Sequence, residues 1–205
     1  MTDQWRKRPP GYELFFSPLE VDLDPSEVEG IRFAYLSSKY GHNGQKRDDG
    51  SRYFDHPKAA AWIYIDELGQ RDPRVIINLL LHDISEDAYL LSPYRIARNF
   101  GPEIALDVRA LTKLPKGKES TAEYMERIIQ RGAFAIIAKI IDRLHNLRTL
   151  GTCTPEKRLR QIAETKEFHI PLLIPALAQV MTGEEAWIPK ELEQKMYEAI
   201  KAHEG

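Results

Sequence analysis

Cysteine is almost missing from this chain. Cys153 stands alone among 205 residues, which excludes an intrachain disulfide framework and makes a reducing compartment the natural setting. No stretch reaches the roughly 18 consecutive apolar residues of a membrane span. The opening MTDQWRKRPPGYELFF carries positive charge but lacks the apolar core of a signal peptide. Charge of one sign is missing too: 29 Lys and Arg against 31 Asp and Glu give a formal net charge of −2. That argues against nucleic acid or an anionic membrane as the main partner. Alternating strand patterns and internal repeats are also lacking. With 42 % hydrophobic residues, enough to bury a core, the expectation is a soluble, cytoplasmic, globular protein. The sequence carries no mark of oligomeric state.

What is present is helical punctuation. Asp24-Pro25, Asp72-Pro73, Ser92-Pro93 and Thr154-Pro155 each set a capping side chain before a proline suited to the first helical position. Ser120 and Glu123 read as a capping box, and Gly41, Gly69, Gly101, Gly132 and Gly151 fall where helices should stop. Between these marks apolar residues recur at helical spacing, as in AFAIIAKIIDRLHNLRTL (133–150). The fold expected is all-α, with roughly eight to ten helices. GHNGQKRDDGSRYF (41–54) is the loop-like stretch. Residues 1–20 read as an extended N-terminal arm ahead of a single domain over 21–205.

Three places carry polar residues that a packed helix alone does not call for. LLLHDISEDAYLL (79–91) sets His82, Asp83, Glu86 and Asp87 between leucine-rich flanks. Glu86 follows His82 by four residues and Asp87 follows Asp83 by four, so one local face continues. A histidine and three carboxylates so close perturb one another unless a cation compensates; the plainer alternative is a solvated helix end with scattered salt bridges. In YFDHP, His56 precedes a helix opening with proline, and alone it reads as a turn residue. In KIIDRLHNL, Asp142 sits inside an apolar helix, costly unless it is paired with Arg143 or another base, or binds a metal.

Taken together, His56, then His82-Asp83, then Asp142 follow the ligand order of the HD metal-dependent phosphohydrolase superfamily, which implies a single HD-domain helical bundle. Two imidazoles and two carboxylates suit Mn2+, Fe2+ or Zn2+, with positions left for water and a phosphate oxygen. The flanking residues resemble the RelA/SpoT-type alarmone hydrolases more closely. HNGQKRDDGSRYFDHP is similar to their first motif, HDISEDA to their HDxxED, LTKL (111–114) to their Thr-Lys-Leu, and KIIDRLHNLRTL to their Asp-Arg-Leu-His-Asn-x-Arg-Thr helix. RLRQIAETKEFHIPL (158–172) looks like their closing segment, so the resemblance covers roughly residues 25 to 180.

The resemblance implies hydrolysis of the 3′-pyrophosphate of (p)ppGpp to GDP or GTP and pyrophosphate, with one Mn2+ ion and a small-molecule nucleotide as substrate. His56, His82, Asp83 and Asp142 would hold the metal. Glu86 and Asp87 would position or deprotonate the attacking water, or else support the histidines from behind. Arg47 would lie against the base, and Asn146 and Thr149 would meet the nucleotide. Without the motif, Arg47 is a solvated loop charge, Asn146 a buried amide and Thr149 a helix-end residue. Lys113, Arg143 and Arg148 are weaker candidates for phosphate neutralisation, while His42, His145 and His169 are left outside the metal set. The chain departs from the family at Ser51-Arg52, where Glu-Pro is usual, and at PLLIPAL (171–177), where long members continue into a synthetase domain. It is therefore similar to a stand-alone small alarmone hydrolase of the metazoan SpoT-homologue kind. Another nucleotide substrate, such as (p)ppApp or NADPH, and a catalytically silent alarmone-binding module are the alternatives.

Overall fold

The computed structural model describes residues 9–84 and 92–204. Glu86 and Asp87 lie outside these described residues. Among them there is no strand, only an isolated antiparallel bridge between Lys46 and Arg52, so the all-α expectation stands. Among the described residues no helix is long and apolar enough to cross a membrane. Contacts divide the chain into two compact units meeting in sequence at Thr112 and Lys113, a division that no linker composition announces.

In the first unit the helices are α1 (Tyr12–Asp22), α2 (Pro25–Gly41), α3 (Asp55–Trp62), α4 (Pro73–Leu81), α5 (Pro93–Phe100) and α6 (Pro102–Leu111). The residues expected to form an extended arm instead form α1 from Tyr12 onward. Phe15, Phe16 and Leu19 lie at three- and four-residue spacing and are all buried. Phe15 and Phe16 pack against Tyr35 of α2, with ring centroids 5.3 and 5.5 Å away. Pro18, inside the helix, and the Pro9-Pro10 pair ahead of it hide this apolar stripe from a reading by proline punctuation.

The capping expectations hold in physical detail. Asp72 accepts from the backbone N–H groups of Arg74 and Val75 at 2.8 and 3.2 Å, starting α4 behind Pro73. All of Val75 to Leu81 is then buried, so α4 is the central helix of this unit and packs against α2, α3 and α6. Asn78 lies within it and donates to Asp107 of α6 at 2.8 Å, and Arg74 grips the same carboxylate at 2.7 and 3.1 Å. A buried carboxylate with three donors replaces its water in full. Gly101, at φ 89°, turns the chain between α5 and α6 in a conformation that side chains avoid.

In the second unit are α7 (Thr121–Arg131), α8 (Ala133–Arg148), α9 (Pro155–Glu164), α10 (Ile174–Val180) and α11 (Ile188–Lys201). Ser120 and Glu123 close the predicted box reciprocally, at 2.7 and 3.2 Å. α8 is buried from Ala135 to Leu144 without a break and packs between α7 and α11. From Thr165 to Leu173 the helical path between α9 and α10 widens into a π-helix around Pro171, a residue that cannot donate to the regular ladder.

Candidate metal centre

The loop after α2 is folded by its own backbone. Arg47 N–H donates to Ser51 O at 3.0 Å, Gly50 N–H to Arg47 O at 2.9 Å, and Tyr53 N–H to Gln45 O at 3.1 Å. This hairpin carries Tyr53 back onto His42, the buried residue that ends α2; the rings stack at 4.6 Å and 22°. The Arg47 guanidinium lies 5.6 Å over the same tyrosine ring. Tyr53 O then accepts the His56 N–H at 3.0 Å, and α3 begins. His56 is 2 % exposed, so its ring is buried where the turn leads into α3.

His82 follows the last residue of α4, 4 % exposed, and Asp83 comes next. His82 Nε2 lies 3.2 Å from His56 Nε2 and 3.1 Å from Asp83 Oδ2, while His56 Nε2 lies 3.5 Å from that same oxygen. Tyr53 donates its hydroxyl to Asp83 Oδ2 at 3.0 Å. So the structure brings His56, His82 and Asp83 into one cluster able to hold a metal ion.

The donor set fits a divalent cation on chemical grounds. His82 Nδ1 is 2.8 Å from the carbonyl of Leu79, a contact only an N–H can make, so its Nε2 carries a lone pair in the neutral ring. That lone pair faces a second imidazole nitrogen and a carboxylate oxygen. A proton on His56 Nε2 serves only some of these contacts; a cation at the centre satisfies all three at once. Ligands about 2.1 Å from one ion lie roughly 3.0 to 3.4 Å apart, close to the 3.1, 3.2 and 3.5 Å that separate these atoms. The backbone bond from Leu79 is the outer support that ligating histidines commonly have.

In the second unit, Asp142 is 5 % exposed on α8. Lys139 Nζ lies 2.8 Å from its Oδ2, and Asn146 Nδ2 donates to its Oδ1 at 2.7 Å. Its basic partner is thus the lysine one turn earlier and not Arg143. Burial alone would lower the Lys139 ammonium, but the Asp142 carboxylate beside it offsets this and the net shift is upward. Arg143 turns the other way, to His169 Nε2 at 3.0 Å, Glu164 at 2.9 Å and Gln161. Lys113 lies 3.8 Å from that Glu164. Thr149 donates to the carbonyls of His145 or Asn146, both 3.1 Å away, and ends the helix.

Sequence reasoning missed the roles of Tyr53 and His42. Both stand in the quoted motif stretch, yet only the folded hairpin aims the tyrosine hydroxyl at Asp83. His169, left outside the metal set, accepts from Arg143 at 3.0 Å, and burial, then the charge of Arg143, hold its pKa down to about 2.

An all-helical fold and a His, His-Asp cluster at a helix end define a class, and a family model described as the HD domain matches residues 34–172. The chain belongs to the HD-domain family. Among individual proteins it is similar to the bifunctional (p)ppGpp synthase/hydrolase SpoT of Escherichia coli K12, 34 % identical over 170 residues, or 78 % of this chain and 24 % of that one. It is also similar to the GTP pyrophosphokinase rsh of Brucella ovis, 38 % identical over 169 residues, covering 78 % of this chain and 22 % of the relative. The chain thus spans about a quarter of the length of these relatives. A metazoan orthologue of SpoT that hydrolyses ppGpp has a solved structure with a TM-score of 0.68 and 23 % identity, covering 85 % of this chain and 95 % of that one. That likeness establishes the shared fold.

Proposed function

We propose that this protein is a divalent-metal-dependent hydrolase that removes the 3′-pyrophosphate of (p)ppGpp, with one HD hydrolase domain that includes α1, in a cytoplasmic setting. The observation that carries the reading is the convergence of His56 Nε2, His82 Nε2 and Asp83 Oδ2 within 3.5 Å of one another. Relatives named for (p)ppGpp hydrolysis support the substrate.

In this reading His56, His82, Asp83 and Asp142 hold one ion, Mn2+ first among the candidates, and Asp142 is assigned by its motif. When bound, the ion supplies a Lewis acid at a phosphoryl oxygen. Glu86 and Asp87 orient water and take its proton as the water oxygen attacks phosphorus; the bond to the 3′ oxygen breaks, and that oxygen keeps the electron pair and takes up a proton to become the 3′-hydroxyl. Tyr53 fixes the Asp83 carboxylate. Arg47 lies against the purine, where a planar guanidinium both stacks and offsets phosphate charge. Asn146 and Thr149 hydrogen-bond the nucleotide.

The experiment is pyrophosphate release from ppGpp by the purified chain, with Mn2+ and then with chelator, and with ppApp beside it. Release that requires metal supports the reading. A folded, metal-loaded protein that releases none from ppGpp overturns it, and faster release from ppApp transfers it to the adenine nucleotide.

A further inference from the structure

A second feature of the first unit is not used by the proposed chemistry. The lining of a cleft of about 380 Å³ includes Tyr12, Tyr35, Lys39, Arg52, Phe54 and Lys58. It shares no lining residue with the His56, His82, Asp83 cluster. The same short segment serves both places, because Tyr53 and His56 face the metal cluster while Arg52, Phe54 and Lys58 line the cleft.

Its composition is one-sided. Three lining side chains are cationic, three are aromatic, and no lining residue is acidic. Asp55 stands beside them and is shared, 2.8 Å from Arg52 and 3.4 Å from Lys58. Among the described residues Lys39, Arg52 and Lys58 line the cleft, and Asp55 is the acidic neighbour that the last two share. Lys58 is 4 % exposed, with its ammonium 5.8 Å over the Phe54 ring. Tyr12, Tyr35 and Phe54 form a continuous aromatic wall, with Tyr35 edge-on to the other two at 5.4 and 4.9 Å. Burial pushes the Tyr35 phenol upward, so it remains a neutral donor.

We infer that this cleft is a binding site for an organic phosphate, in which Lys39, Arg52 and Lys58 take the phosphate and the aromatic wall takes a planar organic group. A guanidinium and two ammonium groups in one concave wall match a phosphoanion, and rings beside them match the mixed lining of small-molecule sites. Arg52 is also the residue at which the sequence departs from the family's Glu-Pro. The inference does not rest on the hydrolase reading.

The test is calorimetric titration of the full chain with ADP, and separately with pyrophosphate, in chelator so that no divalent ion bridges phosphate to the metal cluster. One site is expected, with ADP about threefold or more tighter than pyrophosphate and affinity falling as salt rises. Lys39→Gln/Arg52→Gln should weaken ADP by about tenfold or more. Lys39 is exposed and the Arg52 side chain is 48 % exposed, so the double variant should keep its fold and melt near the parent. His82→Ala, which breaks the metal cluster, should bind ADP as the parent does. No heat of binding, binding undiminished in the double variant, or binding lost in a folded His82→Ala would each overturn the site. Pyrophosphate as tight as ADP would overturn the part assigned to the rings.

Discussion

The Tyr53 hydroxyl donates to Asp83 Oδ2 at 3.0 Å, and that oxygen is the one nearest both imidazole nitrogens. A tyrosine on the hairpin therefore sets the carboxylate of the HD pair, while His42 stacks behind its ring. Tyr53→Phe keeps the ring and the stack and removes only the donor. We expect metal affinity or activity to fall by about 10- to 100-fold, as for other outer supports of ligating groups. A metal titration of both proteins checks this, and an unchanged dissociation constant and rate would show that Asp83 needs no help.

Asp142 and Lys139 form the buried ion pair of α8, 2.8 Å apart and with side chains only 7 % and 9 % exposed. Asp142→Ala removes a proposed ligand and also strands a buried ammonium. Breaking such a pair from one side costs about 3 to 5 kcal/mol, so loss of activity in this variant alone would be ambiguous. Asp142→Leu with Lys139→Met removes both charges and should recover most of the thermal stability. If the double variant is stable and inactive, Asp142 serves the chemistry; if it hydrolyses at the parent rate, its role is confined to the pair.

Glu86 belongs to the proposed water-handling pair. Glu86→Gln keeps size and hydrogen bonding but removes the proton acceptor. The expected result is metal binding close to the parent and kcat lower by about 100-fold or more, the usual worth of a general base. Metal content and single-turnover rate measured on the same sample separate the two effects. A kcat equal to the parent's would leave Glu86 a supporting role at most.

Much of this was legible in residue spacing. HDISED announces itself because polar residues interrupt an apolar run, and α4 indeed delivers His82 and Asp83 at its end. The proline and glycine marks located helix starts and stops because they act through local backbone geometry. What spacing could not show was anything made by tertiary folding. Tyr53 reaches Asp83 across thirty positions, a contact set by the hairpin and not by any period. The salt-bridge partner of Asp142 was present at i−3 in KIID, but adjacent Arg143 drew the reading although neighbours on a helix diverge. Helix α1 was hidden because its two halves flank Pro18, and its apolar stripe becomes visible only against Tyr35.

His169 provides a pH test of the second unit. Its Nε2 accepts from Arg143 at 3.0 Å, and its Nδ1–H donates to the Glu164 carbonyl at 3.2 Å, so the neutral ring satisfies both ends. Burial, then the positive charge of Arg143, lowers its pKa from the ordinary 6.5 to about 2. The unfolded chain takes up a proton below about 6.5 while the folded one does not, so the unfolded state binds more protons across that window. The contribution of His169 is fully present above pH 6.5 and is lost as pH falls from 6.5 towards 2. The slope is at most about 1.4 kcal/mol per pH unit. His169→Gln offers an oxygen to Arg143 without a titrating ring. It should be less stable than the parent at pH 7.5 and lose less stability between pH 6.5 and 4.5. Urea unfolding at a series of pH values reads the difference, and parallel curves for the two proteins would mean that His169 is not held neutral.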